Sequence, residues 1–409
     1  MGVTGRSITS LGIGLIVASL ALLAVMQAGC ADEPKRAAAV PASTTSVDVA
    51  APAVQPPARP RPYALPAGAL RVSSSAELAT ALSNGRRETI VLAPGVYDNA
   101  RPFSDRDGDR LYGERLGRAV LKTGVVLGAN EGAPGASIRG LTFDVTDPAK
   151  TLHGSIVHVW GSATHASVLD TRLYGHGRLD SGLLVRQPLA FVARRIIAEG
   201  FRSYGVAVDP NTLGYRTRAP FSLSDLTISR VRRPVRGSSN GRAEACLWLG
   251  SPGTARRIGV SRCGVTGIWT GTAIRDSRIT DATVNRAPVG IYLEHFTSGT
   301  TFQRLRIGPD VGRGVNAEWS NVAVGQKPAT SDNVIQDCYF RTRHVGVYLD
   351  EGTTHTVVRR CLFAGQSWAA IGDYLGRGNS YYGNDFGELG PAAVPVSHDH
   401  DPEGSGGGG

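Results

Sequence analysis

The sequence predicts an all-β solenoid, a parallel β-helix, from three observations. Glycine supplies 52 of 409 residues with no every-third-residue period, and charged residues are only 19%, which excludes collagen, a coiled coil and a mainly helical bundle. A five-residue phrase recurs as Gly205-Val-Ala-Val-Asp209, Gly290-Ile-Tyr-Leu-Glu294, Gly314-Val-Asn-Ala-Glu318 and Gly346-Val-Tyr-Leu-Asp350, with weaker copies from Gly182, Cys246 and Gly267. A second short strand lies between copies, as in Val334–Phe340 and Val357–Phe363. The apolar residue after the leading position falls at 183, 206, 247, 268, 291, 315, 347 and 371, mostly 21 to 24 residues apart. Short strands at that period form coils too thin to stand alone, which must stack.

The ends lie outside this pattern. Arg6 precedes an apolar run, Leu11 to Met26, that closes on Ala28-Gly29-Cys30. A basic start, an apolar segment and small residues read as an export signal over 1–31. The tripeptide resembles a lipobox, which makes Cys30 a lipid attachment point; secretion after cleavage near Ala31 is the alternative. Residues 32–66 are rich in Ala, Pro, Ser and Thr, centred on Pro56-Pro57-Ala58-Arg59-Pro60-Arg61-Pro62. They read as an extended tether. Residues 67–390 make the folded domain, and 391–409 read as a disordered tail whose His398-Asp399-His400-Asp401 is solvated.

The net charge of +10 falls to about +8 once Arg6 and the tether are set aside. Arginine supplies most of the excess. Export makes nucleic acid a poor partner and an envelope glycan a better one. Four cysteines besides Cys30 suit an oxidising compartment. Cys338 and Cys361 occupy the same point of the same strand, so stacking brings their Cα atoms about 4.8 Å apart, inside the disulfide window. Cys246 and Cys263 occupy different points of the coil, and their bridge is less firmly specified.

In the domain's first segment, Ala76 to Leu82 reads as a helix with Ser74 and Glu77 spaced as a capping box. Gly85 closes it, and Thr89 to Tyr97 supplies the first strand and turn. Here the chain resembles the right-handed parallel β-helix superfamily typified by pectate lyases and other pectin-degrading enzymes. The resemblance covers most of residues 70–390. It implies a right-handed solenoid of about ten coils, monomeric, with the helix capping its open end. It also implies carbohydrate as the substrate class. Gly175-His176-Gly177 echoes a polygalacturonase motif, without its companion elements.

Alternation turns the second and fourth positions of each phrase outward. The second column carries Trp248, Trp269, Tyr292 and Tyr348, expected to form a sugar platform. The fourth carries Arg186 and Asp209, expected to contact substrate, then Gly250 and Gly271, then Glu294, Glu318 and Asp350 on successive coils. Carboxylates about 5 Å apart repel by about 3 kcal/mol at an effective dielectric near 20. Relief comes from an arginine, from a cation such as Ca²⁺, or from keeping one acid protonated. The last two are what a lyase or a glycosidase uses. The leading expectation is therefore an exported protein that binds and cleaves polysaccharide, with Glu294, Glu318 and Asp350 holding Ca²⁺ or acting as acid and base. A non-catalytic glycan-binding or structural surface protein is the alternative. A further outward column, Asp170, Arg195, Asp225, Asp276, Arg304, Asp337 and Arg360, reads as a structural ladder of opposite charges. Asp105-Arg-Asp-Gly-Asp109 imitates the start of a calcium loop but lacks its later ligands.

Overall fold

The computed structural model describes residues 50–128, 134–161, 163–186, 190–209, 220–232, 244–271, 274–294, 297–317 and 330–403. These belong to one compact unit, Ser43–Gly409. Cys30 and Glu318 lie outside the described residues.

The chain winds as a right-handed parallel β-helix of about a dozen coils with three strand faces. Face one holds the repeated phrase and runs through Ser155–Val159, Ala245–Leu249, Thr266–Thr270, Ala287–Leu293, Val311–Ala317, Val345–Leu349 and Ala369–Asp373. Face two begins at Leu70–Val72 and includes Ser167–Leu169, Val334–Gln336 and Val357–Arg359. Face three includes Tyr339–Arg341 and Leu362–Ala364. Register on face one is continuous, Val206↔Leu247↔Ile268↔Ile291↔Val315↔Val347↔Ile371. Every one of these residues is fully buried.

The leading glycine follows from the tightness of the stack. A Cβ on Gly290 would lie 2.5 Å from the Gly314 carbonyl oxygen, and one on Gly314 would lie 2.2 Å from that of Gly346. Inside, like residues stack on like. The Phe340, Phe363 and Phe386 rings lie 5.2 and 5.6 Å apart; each buried phenylalanine contributes about 1.5–3 kcal/mol.

The capping helix spans Ser75–Ala81. Ser74 Oγ accepts the Glu77 N–H at 3.2 Å, and the Glu77 carboxylate accepts the Ser73 N–H at 2.6 Å. Leu78, Ala81 and Leu82 are buried on the first coil.

The corner between faces two and three carries the charge ladder. Its residues are Asp170, Arg195, Asp225, Arg257, Asp281, Arg304, Asp337 and Arg360, all left-handed with φ between 50° and 59°. Each arginine grips the aspartate one coil earlier with two hydrogen bonds; Arg257 holds Asp225 at 2.5 and 2.7 Å, and Arg304 holds Asp281 at 2.7 Å twice. The expected ladder is corrected at one slot. Asp276 sits at the corner between faces one and two, and the true members are Arg257 and Asp281. Alternation is therefore complete over eight coils.

Three expectations about the ends and the cysteines change. Residues 50–66 do not hang free: the Ala58 N–H donates to Asp225 Oδ1 at 3.0 Å and the Arg61 N–H to Asp170 Oδ1 at 3.1 Å. The fold also continues past 390. Val394–Ser397 pairs with Ala369–Asp373, and the buried Asp401 bridges Arg313 and His344, each at 2.7 Å.

The cysteine assignment is reversed as well. Cys246 and Cys263 form the disulfide, with Cα atoms 5.6 Å apart, while Cys338 and Cys361 are buried free thiols. Identical points on parallel coils place Cβ atoms about 4.8 Å apart as well, longer than the usual disulfide Cβ separation. Each thiol instead donates to the carbonyl two residues back, Gln336 at 3.0 Å and Arg359 at 3.3 Å. Burial pushes the Cys338 thiol well above its ordinary pKa. The Cys246–Cys263 bridge marks an oxidising, extracytoplasmic compartment.

Candidate functional site

Face one gathers three of the four aromatic residues that the phrase predicts, and adds one. Trp248, Trp269 and Tyr292 stack on successive coils, with ring centroids 5.4 and 6.2 Å apart. Tyr204 joins them 5.2 Å from Trp248, its plane tilted by 26°. It precedes the leading Gly205, a place outside the alternating columns. An aromatic residue just ahead of a leading glycine is the signal that would have revealed it.

The rings turn their faces toward one another, as stacking at this distance requires. Tyr204 and Trp269 are consequently buried, at 7% and 8% exposure, while Trp248 and Tyr292 remain half-buried. The row therefore presents ring edges outward rather than a broad flat platform. The Trp248 and Trp269 indole N–H groups are buried and have no hydrogen-bond partner among the described residues.

Glu294 lies beside this row. A Cβ on Gly271 would sit 2.7 Å from Trp248 Nε1 and 3.3 Å from Glu294 Oε2. The indole and the carboxylate therefore converge over Gly271, where a side chain would enter only by displacing the indole. Gly250 precedes it on the adjoining coil.

Tyr348 and Asp350 do not join that group. Asn316 separates Tyr292 from Tyr348 in the column. Tyr348 is buried in its own cluster with Val345, Ala369 and Trp368, 5.7 Å from the Arg313 guanidinium and hydrogen-bonded by the Asp401 backbone. Burial and the Asp350 charge raise its phenol pKa. Asp350 is 9% exposed and accepts the Glu351 N–H at 2.8 Å. Glu318, the remaining carboxylate of the expected stack, is outside the described residues. Among the described residues no group of three His, Cys, Asp or Glu is close enough to hold a metal.

Arg186 and Asp209 are neighbours in register at the other end of the face. The Arg186 guanidinium lies 5.8 Å from the Trp160 ring, and Trp160 packs 4.7 Å from His158. His158 is fully buried, and burial followed by the Arg186 charge lowers its pKa to about 4. Glu244, at the entry to the Trp248 strand, was not singled out by the sequence. Its carboxyl is buried, its Oε2 has no partner among the described residues, and burial, then the Asp180 charge, raises its pKa to about 7.

Two other motifs resolve as structure. Asp105 Oδ1 accepts the N–H groups of Asp107, Gly108 and Asp109, so that carboxylate closes its own turn. His176 is a corner residue with φ 53° that pairs with Asp144.

Strand order and register define the fold as a parallel β-helix, an architecture found both in a surface adhesin and in a carbohydrate-active enzyme. No known protein family matches the chain by sequence, and no curated protein does. Solved structures do match. PfbA, a surface adhesin of Streptococcus pneumoniae, superposes with a TM-score of 0.53 at 12% identity, over 79% of this chain and 87% of the adhesin. The catalytic domain of a GH87 α-1,3-glucanase, in complex with tetrasaccharides, gives 0.52 at 14% identity, over 81% and 71%. At such identities the likeness is one of fold.

Proposed function

We propose that the chain is an exported polysaccharide-binding protein working through face one, and that Glu294 is its chemically active group. The observation that supports this is the convergence of the Trp248 indole edge and the Glu294 carboxylate over Gly271. An indole N–H and a carboxylate in that cleft suit a sugar ring with its hydroxyls. Cleavage, as lyase or glycoside hydrolase, would need Glu318 as partner to Glu294, with Ca²⁺ held between them in the lyase case. The test is purified protein against a panel of acidic and neutral polysaccharides, with and without chelator. New reducing ends or unsaturated products that vanish in both Glu294→Gln and Glu318→Gln support cleavage. Binding that weakens in Trp248→Ala, with no product from any polysaccharide, leaves binding alone.

That second reading, a non-catalytic glycan-binding surface protein, is favoured by one observation. Asp350, the other described carboxylate of the stack, is buried and turned to its own loop. Lipidation of Cys30 would hold the domain at the membrane, and mass spectrometry of the mature N-terminus tests it.

A further inference from the structure

We infer that the aspartate–arginine corner is a recognition site for a polyproline II chain, and that the Pro-rich segment around 55–63 is its ligand, bound in cis and in register. Three backbone donors of the segment reach three ladder carboxylates: Gln55 to Asp281, Ala58 to Asp225 and Arg61 to Asp170. The donors are three residues apart, and the acceptors are two coils apart. Polyproline II advances about 9.3 Å in three residues, and two coils span about 9.6 Å. The two repeats agree because the ladder alternates in sign, so a carboxylate appears on every second coil.

Four further observations fit the same lattice. Half-buried residues of the segment recur at Val54, Pro57, Pro60, Tyr63 and Pro66, the threefold face of such a helix. Its prolines at 56, 57, 60 and 62 avoid all three donor positions. Polyproline II makes no internal hydrogen bonds, so its N–H groups are free to donate outward. The lattice also ends where it should. Three residues before Gln55 stands Pro52, which has no N–H, and the next ladder carboxylate, Asp337, takes the Gln303 amide at 3.0 Å instead.

Tyr63 closes the other end. Its hydroxyl donates to the Gly113 carbonyl at 2.5 Å, beneath the Arg139 guanidinium at 4.3 Å. A Cβ at the corner residue Gly140 would lie 2.0 Å from that hydroxyl, so the ladder gives way to glycine where the tyrosine lands.

Exposure of the arginines follows the strap. The side chain of Arg195 is 5% exposed and that of Arg257 14%, rising to 36% at Arg304 and 48% at Arg360, beyond Gln55. This corner does not border face one, so the occupied groove leaves the aromatic row open.

The test is amide exchange in the full chain, read at single residues by NMR. The Gln55, Ala58 and Arg61 amides should exchange roughly 10- to 100-fold slower than that of Arg59, as hydrogen bonds to charged groups imply. Inserting one alanine between Pro57 and Ala58 should return Gln55 to the Arg59 rate while Ala58 and Arg61 stay slow. Duplicating Gln55-Pro56-Pro57 should put the second glutamine on Asp281 and restore the slow amide. Uniform exchange along the segment, or a slow Gln55 in the one-residue insertion, overturns the proposal.

Discussion

At the scale of single residues, the site turns on groups that have no room to change. Gly271→Ala would drive a methyl group to 2.7 Å from the Trp248 indole. The expected result is a stability loss of about 1–3 kcal/mol by overpacking together with loss of glycan binding, read by denaturation and by affinity electrophoresis. Glu244 makes a pH-dependent prediction. Its folded pKa of about 7 is raised above the unfolded value, so burial favours the protonated carboxyl. Its contribution is complete below about pH 4 and is lost as pH rises through 7. Glu244→Gln should match the wild type near pH 4 and exceed it by about 3 kcal/mol at pH 8. Equal stability curves across that range would sink the assignment. Trp248, Trp269 and Tyr292 were legible because strict alternation inside the phrase fixes which side chains point out. Tyr204 was not, because it precedes the phrase, and Tyr348 was misplaced because a distant C-terminal segment covers it.

At the scale of elements, the ladder shows how one corner can be strong at one end and weak at the other. Asp170 and Arg195 are both buried, so Asp170→Ala strands a buried guanidinium and should cost about 3–5 kcal/mol. Asp337 faces an arginine with a side chain that is 48% exposed, and Asp337→Ala should cost no more than about 1 kcal/mol. Urea midpoints of the two variants compare them directly, and equal losses would contradict the burial gradient. Burial raises the Asp170 and Asp225 pKa values, but the hydrogen bonds from Arg195, Arg257 and the strap outweigh it and hold both below the ordinary carboxylate range. Stabilisation from depressed carboxyls is present above about pH 4 and lost as pH falls through their folded values. The protein should therefore unfold with acid below about pH 4, in a step that Asp225→Asn shifts. The alternation was readable in the sequence, but its register slipped on the coil holding both Asp276 and Asp281. Both are left-handed corner aspartates five residues apart, each preceding an alternating stretch, and only strand pairing tells them apart.

At the scale of the whole molecule, the solenoid is closed by segments that composition alone marks as loose. Low hydrophobicity and many prolines or glycines describe a chain that cannot build a core of its own. They do not describe what it does against a ready-made ladder or an open last coil, and so the Pro-rich strap and the C-terminal strand were both read as free. Val394–Ser397 covers the last coil, and the Asp401 carboxylate reaches Arg313, Val345↔Ala369↔Val394 being the intervening register. Arg313 and His344 are each at most 10% exposed, so removing their shared carboxylate breaks a buried ion-pair network. Asp401→Ala should lower stability by about 3 kcal/mol, and truncation after Gly390 by more, since it also bares the last coil. In a solenoid each coil is supported chiefly by its neighbours. The loss should therefore appear first as faster amide exchange in Val345–Leu349 and Ala369–Asp373, while Leu70–Val72 and Thr89–Leu92 exchange as before. Loss spread evenly from end to end would mean that the tail stabilises the chain as one cooperative block rather than by closing its open end.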